Sequence, residues 1–334
     1  MTELRRLITG FRVSQAIHVA AVLGISDLLA DGPLDVAGLA RRTGSHEQSL
    51  YRLLRALATA GVYRELDGRR FESTPLGAEL RTDAPASAAG QAAFIGTEAA
   101  WRAWAGLLHS VRTGENAFRA VHGQGVWEYR VQHPEDGAAF DESMISISRG
   151  IAEATLDAYD FGRFGRLVDV GGGRGGFLSA ILARYPTVQG VLFDQAHVLA
   201  GAPSTLDTVA GSFFDEVPAG ADAYVLKSII HDWPDEESVA ILRVVGRAMR
   251  PDSTLLLVER VMPGPNEGFD AAFSDLNMLV SPGGQERTEP EYTALLEAAG
   301  FTLTRVIPTR GEFSLIEGRT ASASGLSGPA AGTP

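Results

Sequence analysis

The segment from residue 167 to residue 194, LVDVGGGRGGFLSAILARYPTVQGVLFD, constrains the fold of this chain more than any other. An apolar run ends in a glycine-rich turn, a helical pattern follows, and a second apolar run ends in Asp194. This order of strand, glycine turn, helix, strand and acid is typical of α/β domains that bind an adenosine-containing ligand. The glycines let the backbone approach the ligand, and Asp194 lies where a carboxylate can bind both ribose hydroxyls.

Two ligand classes fit this glycine turn. Gly171, Gly173 and Gly176 satisfy the GxGxxG spacing, so nicotinamide dinucleotides are candidates. Asp169 lies two residues before the first glycine, where a carboxylate would repel a pyrophosphate but suits a cationic amine or sulfonium. The turn therefore favours S-adenosylmethionine, and a glycine turn without a ligand is the remaining alternative.

Length and composition narrow the class of protein. The 334 residues are enough for two domains, and 45% hydrophobic with 21% charged residues is ordinary for a soluble protein. The absence of cysteine excludes disulfides, thiolate metal sites and cysteine nucleophiles. The start, MTELRRLITG, lacks the apolar core of a signal peptide, and no apolar stretch approaches membrane-spanning length. We therefore expect a cytoplasmic protein without a membrane partner.

The N-terminal region predicts a helix followed by a winged helix-turn-helix. Residues 10–32 carry apolar side chains at helical spacing, and helices over 35–42 and 46–60 precede a hairpin that turns at Asp67–Gly68. If the motif bound DNA, its recognition helix would carry Ser49, Tyr51 and Arg52. The alternative is a fold used for dimer contacts. Eight basic against six acidic residues over 34–81 make no basic stripe, and the net charge of −12 also disfavours nucleic acid, so the sequence favours a homodimer.

Downstream, the pattern changes from purely helical to alternating. Residues 84–160 look helical and contain many large apolar side chains, most of them expected in the core. From Phe161 onward, apolar runs alternate with helical patterns, which predicts a Rossmann-like parallel sheet with helices on both faces and an antiparallel last pair of strands. We therefore predict a winged-helix dimerisation domain at residues 1–95 and a helical connector at residues 96–160. An α/β domain at residues 161–319 and a disordered tail at residues 320–334 follow.

Several residues follow the predicted strands at the edge where ligands bind in open α/β sheets. Lys227, His231 and Trp233 follow the strand at 223–227, and a histidine there can take a proton because its ordinary pKa is roughly 6.5. Trp233 either packs in the core or lies near an adenine. Glu259 ends the next strand and could hold the imidazole in one tautomer, and Glu286 is a second partner or a solvated turn acid.

At these residues the chain resembles the plant-type, class I S-adenosylmethionine-dependent small-molecule O-methyltransferases, especially bacterial members of aromatic natural-product pathways. The likeness runs from about residue 10 to residue 318 and rests on the motifs VDVGGGRGG, GSFFDEVPAGAD, LKSIIHDWPDE and GGQERTEPEY. It implies that His231 is the general base and that Glu259 and Glu286 flank it. It also implies a donor site, to which our prediction assigns Asp169, Gly171, Gly173, Asp194, Ser212, Phe213, Phe214, Lys227 and Trp233.

Some features of the family leave alternatives open. Many members have an acid in contact with the adenine amine where this chain has Ser212, although a serine hydroxyl can still hydrogen-bond there. Some relatives keep the donor pocket and catalyse hydroxylation, decarboxylation or pericyclic reactions instead. The presence of His231 favours methylation over these reactions, and a DNA-binding regulator that uses the nucleotide domain as a sensor is a further alternative.

The resemblance implies an in-line displacement, in which an acceptor oxygen attacks the sulfonium methyl. Since a phenol has a pKa of roughly 10, removing its proton at His231 is worth about two to four powers of ten in rate. We expect no metal, because the donor carries its own leaving group and no His, Asp and Glu cluster has metal-binding spacing in the sequence. We expect a flat acceptor, either a phenol of the polyketide, phenazine, naphthoate or quinone-derived type or an amine. The residues expected to line its pocket are Trp127, Phe140, Met144, Phe273, Asn277 and Met278.

Overall fold

The structure is a computed structural model that describes residues 2–85 and 87–321. It divides into two compact units, one of residues 1–150 and one that begins at residue 151. The division falls inside a single long helix, Pro134–Ala158. The finer boundaries at residues 95 and 160 remain a prediction.

Short helices make up most of the first unit, and three short strands form its sheet. The sheet has the strand order β1-β3-β2. In chain order the elements are α1 Glu3–Ile8, α2 Gly10–Val22, α3 Ile25–Leu28, β1 Leu34–Asp35, α4 Val36–Thr43, α5 Glu47–Thr59, β2 Tyr63–Leu66, β3 Arg70–Ser73, α6 Pro75–Ala78, α7 Ala89–Ile95, α8 Glu98–Ala105, α9 Leu107–Thr113, α10 Ala117–His122, α11 Val126–Gln132 and α12 Pro134–Ala158.

The predicted winged helix-turn-helix is present as α4, α5 and the antiparallel pair β2–β3. Leu39, Leu54 and Phe71 are fully buried and join these elements in one core. The predicted single helix over 10–32 is wrong. Gly24 adopts the left-handed conformation at φ 61°, which glycine tolerates without strain, and it separates α2 from α3.

The second unit contains one seven-stranded sheet within its described residues, with the order β6-β5-β4-β7-β8-β10-β9. The pairs from β6 to β8 are parallel, as predicted. The last pair, β9 and β10, is antiparallel, also as predicted, and β10 pairs antiparallel with β8 as well. The elements are β4 Arg166–Val170, α13 Gly176–Arg184, β5 Gln189–Asp194, α14 Ala196–Leu199, β6 Asp207–Ala210, β7 Ala223–Lys227, α15 Asp235–Ala248, β8 Thr254–Arg260, α16 Phe269–Val280, α17 Glu289–Ala298, β9 Phe301–Pro308 and β10 Phe313–Thr320.

Both faces of this sheet are buried, which explains its continuous apolar strands. Successive residues of a strand point to opposite faces, so Leu255 and Leu257 pack with α15 and α17 while Leu256 and Val258 pack with α13. Helices therefore cover both faces, as predicted. At the N-terminus of α17, Thr288 and Glu291 form a reciprocal capping box.

The strand order reverses direction between β4 and β7. From β4 the chain proceeds outward to β5 and β6, and from β7 it proceeds the other way to β8. The carboxyl ends of such a pair border the crevice where open α/β sheets bind ligands. The glycine turn follows β4 and the His231 segment follows β7, so both lie at this position.

The structure differs from the sequence analysis at one edge of the sheet and at the tail. The edge strand β6 was not predicted, because all four of its residues are exposed and show no apolar alternation. The predicted tail begins too early, since Thr320 still belongs to β10, and most of that tail lies outside the described residues. None of the described helices combines the length and apolarity needed to cross a bilayer.

Candidate active site

The glycine turn after β4 places its backbone close to neighbouring side chains. Gly171 and Gly173 have φ values of 68° and 60°, in the left-handed region that favours glycine. A Cβ atom on Gly171 would lie 2.6 Å from Ile229 Cδ1 and 3.4 Å from Phe213 Cε1. A side chain at position 171 would therefore clash with Ile229 in the segment after β7.

The acid that ends β5 is bonded to this turn. Asp194 Oδ2 accepts a hydrogen bond from the backbone N–H of Gly173 at 2.8 Å, and Oδ1 accepts one from Gln195 N–H at 2.6 Å. The side chain remains partly exposed. The predicted ribose-binding acid and the predicted glycine turn thus form one contiguous surface.

Asp169 lies beneath the turn, where it is 1% exposed. A Cβ on Gly172 would lie 2.6 Å from Asp169 Oδ2, so the turn covers the carboxylate directly. Burial raises the pKa of Asp169 to about 7, although the charge of Lys227 opposes this shift. Burial likewise lowers the pKa of Lys227, against the attraction of Asp169, Glu259 and Asp232.

An aromatic cluster stands beside the turn. The Phe214 and Trp233 rings pack edge to face with centroids 4.8 Å apart, and Phe213 lies 6.1 Å from Trp233 in a similar geometry. Ser212 Oγ accepts a hydrogen bond from Phe214 N–H at 3.2 Å, which orders the turn that carries both phenylalanines. These four residues form a contiguous apolar wall with one hydroxyl at its edge.

His231 is held between carboxylates on a short 3₁₀ turn, Ile230–Asp232, directly after β7. Its Nδ1 lies 3.1 Å from Glu286 Oε1 and 3.6 Å from Glu259 Oε2, and its Nε2 lies 3.6 Å from Asp232 Oδ1. Burial alone would lower the pKa of His231, but Glu259, Asp232 and Glu286 outweigh it and raise the pKa to about 9. The structure therefore brings together the three residues predicted to act as a unit.

Glu259 is fully buried and contacts the backbone as well as the imidazole. Its Oε1 accepts hydrogen bonds from the N–H groups of Ile229 and Ile230 at 2.9 and 2.8 Å. Burial raises the pKa of Glu259, against the charge of His231. This carboxylate thus fixes the start of the His231 turn while its other oxygen faces Nδ1.

Glu286 is held by groups that the sequence analysis did not identify. Its Oε1 accepts a hydrogen bond from Ser274 Oγ at 2.7 Å, and Arg260 Nη1 lies 3.7 Å away. Burial would raise the pKa of Glu286, but His231, Ser274 and Arg260 outweigh it and lower the pKa below its ordinary value. Of its two alternatives, the structure favours a histidine partner over a solvated turn acid. Of these two groups, Arg260 could have been anticipated from the sequence, because it follows Glu259 directly at the end of β8.

The sequence has no His, Asp and Glu cluster with metal-binding spacing, but the fold brings three potential ligand residues together. One ligand-capable atom from each of His231, Glu259 and Glu286 lies within 4.8 Å of the others. These residues come from three separate strand ends and turns, so their proximity has no short spacing in the sequence. Glu259 Oε1 already accepts hydrogen bonds from Ile229 and Ile230 N–H, and Glu286 Oε1 already accepts one from Ser274 Oγ.

The acceptor candidates lie in both units. On α16, Asn277 follows Phe273 by four residues and shares its face, while Met278 is buried below the same helix. In the first unit Trp127, Phe140 and Met144 are partly buried; the Trp127 and Phe140 rings lie 5.8 Å apart, and the Arg130 guanidinium lies over the Phe140 ring. Each set presents aromatic or apolar side chains with polar groups beside them.

The carboxylates around His231 make its titration a direct test of the site. In histidine-labelled protein, we expect the NMR titration of the His231 imidazole to have its midpoint near pH 9, because neighbouring acids stabilise the imidazolium. Glu286→Gln removes one negative charge and should move the midpoint to lower pH. A midpoint that stays unchanged in this variant would contradict the contact between Glu286 and Nδ1.

The second unit has a doubly wound sheet. Where its strand order reverses, it places a glycine turn, an acid suited to bind ribose hydroxyls and a buried histidine. These features define a nucleotide-binding α/β enzyme. The chain belongs to the O-methyltransferase family: the O-methyltransferase domain model matches residues 104–302 and the O-methyltransferase dimerisation domain model matches residues 5–83. It is an S-adenosylmethionine-dependent methyltransferase, as the sequence analysis inferred.

Relatives of known activity are similar over nearly their full length. The phenazine O-methyltransferase PhzM of Lysobacter antibioticus is 44% identical over 95% of both chains. The mitomycin biosynthesis 6-O-methyltransferase of Streptomyces lavendulae is 38% identical over 94% of this chain and 93% of its own. A relative with different chemistry is the aclacinomycin 10-hydroxylase RdmB of Streptomyces purpurascens. It is 36% identical over 86% of this chain and 81% of its own.

Solved structures show the same architecture. The crystal structure of LaPhzM superimposes with a TM-score of 0.91 and 44% identity, over 95% of this chain and 98% of that one. An O-methyltransferase of neocarzinostatin biosynthesis, NcsB1, was solved with S-adenosylmethionine and 2-hydroxy-5-methyl naphthoic acid; its TM-score is 0.77 at 33% identity, over 92% and 96%. The donor inferred from the glycine turn is therefore present in a structure of a related enzyme.

Proposed function

We propose that this enzyme methylates a phenolic hydroxyl of an aromatic secondary metabolite, with His231 as the general base. The observation that carries the proposal is the placement of His231 Nδ1 beside two buried glutamates, while Nε2 lies 3.6 Å from Asp232 Oδ1, beyond hydrogen-bond distance, and can take a proton. The phenazine and naphthoic acid named for related proteins support a flat aromatic acceptor.

The proposed donor site consists of the glycine turn, Asp194 and the aromatic wall. The residues fit the donor, because Asp194 can bind ribose hydroxyls and the buried Asp169 favours a positive charge above the turn. The donor, when bound, supplies a methyl group on a sulfonium. Phe213, Phe214 and Trp233 would exclude water from one side of the site, and the Ser212 hydroxyl would be available to hydrogen-bond with the adenine.

The protein's part in the reaction is the handling of one proton. The pKa of His231 at about 9 lies close to the roughly 10 of a phenol, so a proton moves between them with little change in free energy. Glu259 and Glu286 hold the ring through Nδ1 and stabilise the imidazolium that forms. At pH 7 only about 1% of a base with this pKa is neutral, so we expect activity to rise with pH.

Product analysis with a methyl-labelled donor tests the proposed reaction. Purified enzyme is incubated with labelled S-adenosylmethionine and a panel of hydroxyphenazines, hydroxynaphthoates and quinone-derived phenols. We expect the label in an aryl methyl ether. A product that gains an oxygen atom but no labelled methyl group would contradict the proposal and point to the chemistry of the hydroxylase relative. A labelled methyl group on nitrogen would show that the acceptor is an amine.

We propose that the enzyme is a homodimer assembled mainly through residues 1–95, and that the winged helix serves this contact. The matching dimerisation domain supports the proposal. Five apolar side chains near the N-terminus are also more than half exposed in the single chain: Leu4, Leu7, Ile8, Phe11 and Val22.

We also place the enzyme in the cytoplasm, where S-adenosylmethionine is made.

Light scattering tests this assembly. At micromolar concentration we expect about twice the 35.4 kDa chain mass. The double variant Leu7→Glu, Phe11→Glu should shift the mass toward the monomer, because charges enter an apolar contact. Val131→Glu is the matched control, since Val131 is equally exposed but lies on α11. A double variant that remains as dimeric as this control would contradict the proposed interface.

A further inference from the structure

Among the residues that the structure describes, Arg287 has the largest fully buried side chain, and it follows Glu286 directly in the sequence. Its side chain is 1% exposed. A guanidinium carries five N–H donors and a permanent charge, so burying it is costly unless the surrounding groups accept its hydrogen bonds. The acceptors that surround Arg287 therefore show what this side chain holds in place.

The guanidinium spans the turn that carries His231. Arg287 Nη1 donates to the carbonyl of Ile230 at 3.1 Å, and Nη2 donates to the carbonyl of Trp233 at 2.9 Å. These carbonyls lie on either side of His231 and Asp232. A single rigid group thus fixes both ends of the 3₁₀ turn.

Asp235 anchors this guanidinium from the start of α15. Its Oδ1 accepts from Arg287 Nε at 3.0 Å and from Nη2 at 2.7 Å. The same oxygen also accepts from Gln285 Nε2 at 3.0 Å. The pair joins the segment that carries Glu286 to the helix that follows the His231 turn.

The backbone of Arg287 makes the third connection. Its carbonyl accepts a hydrogen bond from Met262 N–H at 2.9 Å, and Val261 pairs with Arg287 in an isolated parallel bridge. These residues come directly after the end of β8, which carries Glu259. Arg287 therefore contacts all three segments that bring His231, Glu259 and Glu286 together.

We propose that Arg287 is a positioning residue that sets the distance from His231 Nδ1 to both glutamates, with Asp235 as its anchor. The inference rests on the proposed role of His231 as base. Arginine is required here because its planar fork reaches two carbonyls and a carboxylate at once, whereas a lysine ammonium is a single point. Displacing a base by about 1 Å can lower a rate by about 100-fold.

The test compares Arg287→Lys and Asp235→Asn with Arg243→Lys, a control on α15 whose exposed guanidinium donates a hydrogen bond to the Ala298 carbonyl. For Arg287→Lys we expect kcat to fall about 10- to 100-fold, with donor Kd changed by less than about threefold. The NMR midpoint of His231 should move toward lower pH, because both glutamates then hold the imidazolium less closely. Asp235→Asn should shift both quantities in the same direction by less, and Arg243→Lys should shift neither.

A merely structural role gives a different result. If Arg287→Lys and Asp235→Asn lower the melting temperature but leave kcat and the His231 midpoint at their wild-type values, the proposal is wrong. Should Arg287→Lys fail to fold, Asp235→Asn decides, because its side chain is 68% exposed. The NMR titration needs no turnover, so a shifted midpoint in an enzyme without methyl transfer would support positioning while removing the proposed function.

Discussion

Replacing His231 by glutamine is expected to lower the rate of methyl transfer by about two to four powers of ten while donor binding survives. Glutamine keeps roughly the size of imidazole and can still hydrogen-bond to Glu286, but it cannot accept the acceptor's proton. Single-turnover rates and calorimetric titration with S-adenosylmethionine measure the two quantities separately. Raising the pH should partly rescue the variant, because solvent then ionises the phenol.

A matched control separates this effect from the general cost of losing a histidine. His46 is exposed in the first unit, where its Nδ1 contacts Ser49 Oγ at 3.1 Å. We expect His46→Gln to keep the wild-type rate. Wild-type turnover in His231→Gln would end the general-base assignment and leave proximity, or an acceptor that is already ionised, as the explanation.

The second large effect is expected at Asp194. Asp194→Ala should weaken S-adenosylmethionine binding by about 1.5–3 kcal/mol, or about 10- to 150-fold, because it removes a charge-assisted pair of hydrogen bonds to the ribose. The loss of the bond to Gly173 N–H adds to this effect by loosening the glycine turn. Calorimetry with the purified variant measures the change in affinity directly.

Two further variants show which part of the Asp194 side chain is responsible. Asp194→Asn keeps some hydrogen bonding but removes the charge, so its loss should be smaller. Asp207→Ala changes an exposed acid on the neighbouring strand β6 and should bind like the wild type. Unchanged donor affinity in a folded Asp194→Ala protein would remove this residue from the donor site.

The α/β unit was predictable because its physical signals are local. Strands buried on both faces must be continuously apolar, and glycine at positions 171 and 173 satisfies a backbone need that other residues meet poorly. The same logic predicted that residues after β7 and β8 would meet at one edge. His231 and Glu259 therefore followed from the positions of the strands.

The remaining contacts depend on how loops fold back on the sheet. Ser274 reaches Glu286 from α16, and Arg287 reaches the His231 turn, although neither contact has a fixed spacing in the sequence. Gly284 illustrates the same point, because a Cβ there would lie 2.1 Å from the His231 carbonyl oxygen. Such close backbone approaches select a residue type without creating a periodic pattern.

The pH dependence of kcat/KM for one phenolic acceptor, measured side by side in wild type and His231→Gln, tests the central claim most directly. His231 must be neutral to accept a proton, so the wild-type value should rise about tenfold per pH unit from pH 7 and level off near pH 9. The variant should stay far below it at neutral pH and approach it only as the phenol ionises. Two profiles that coincide across this range would contradict the claim that His231 is the base.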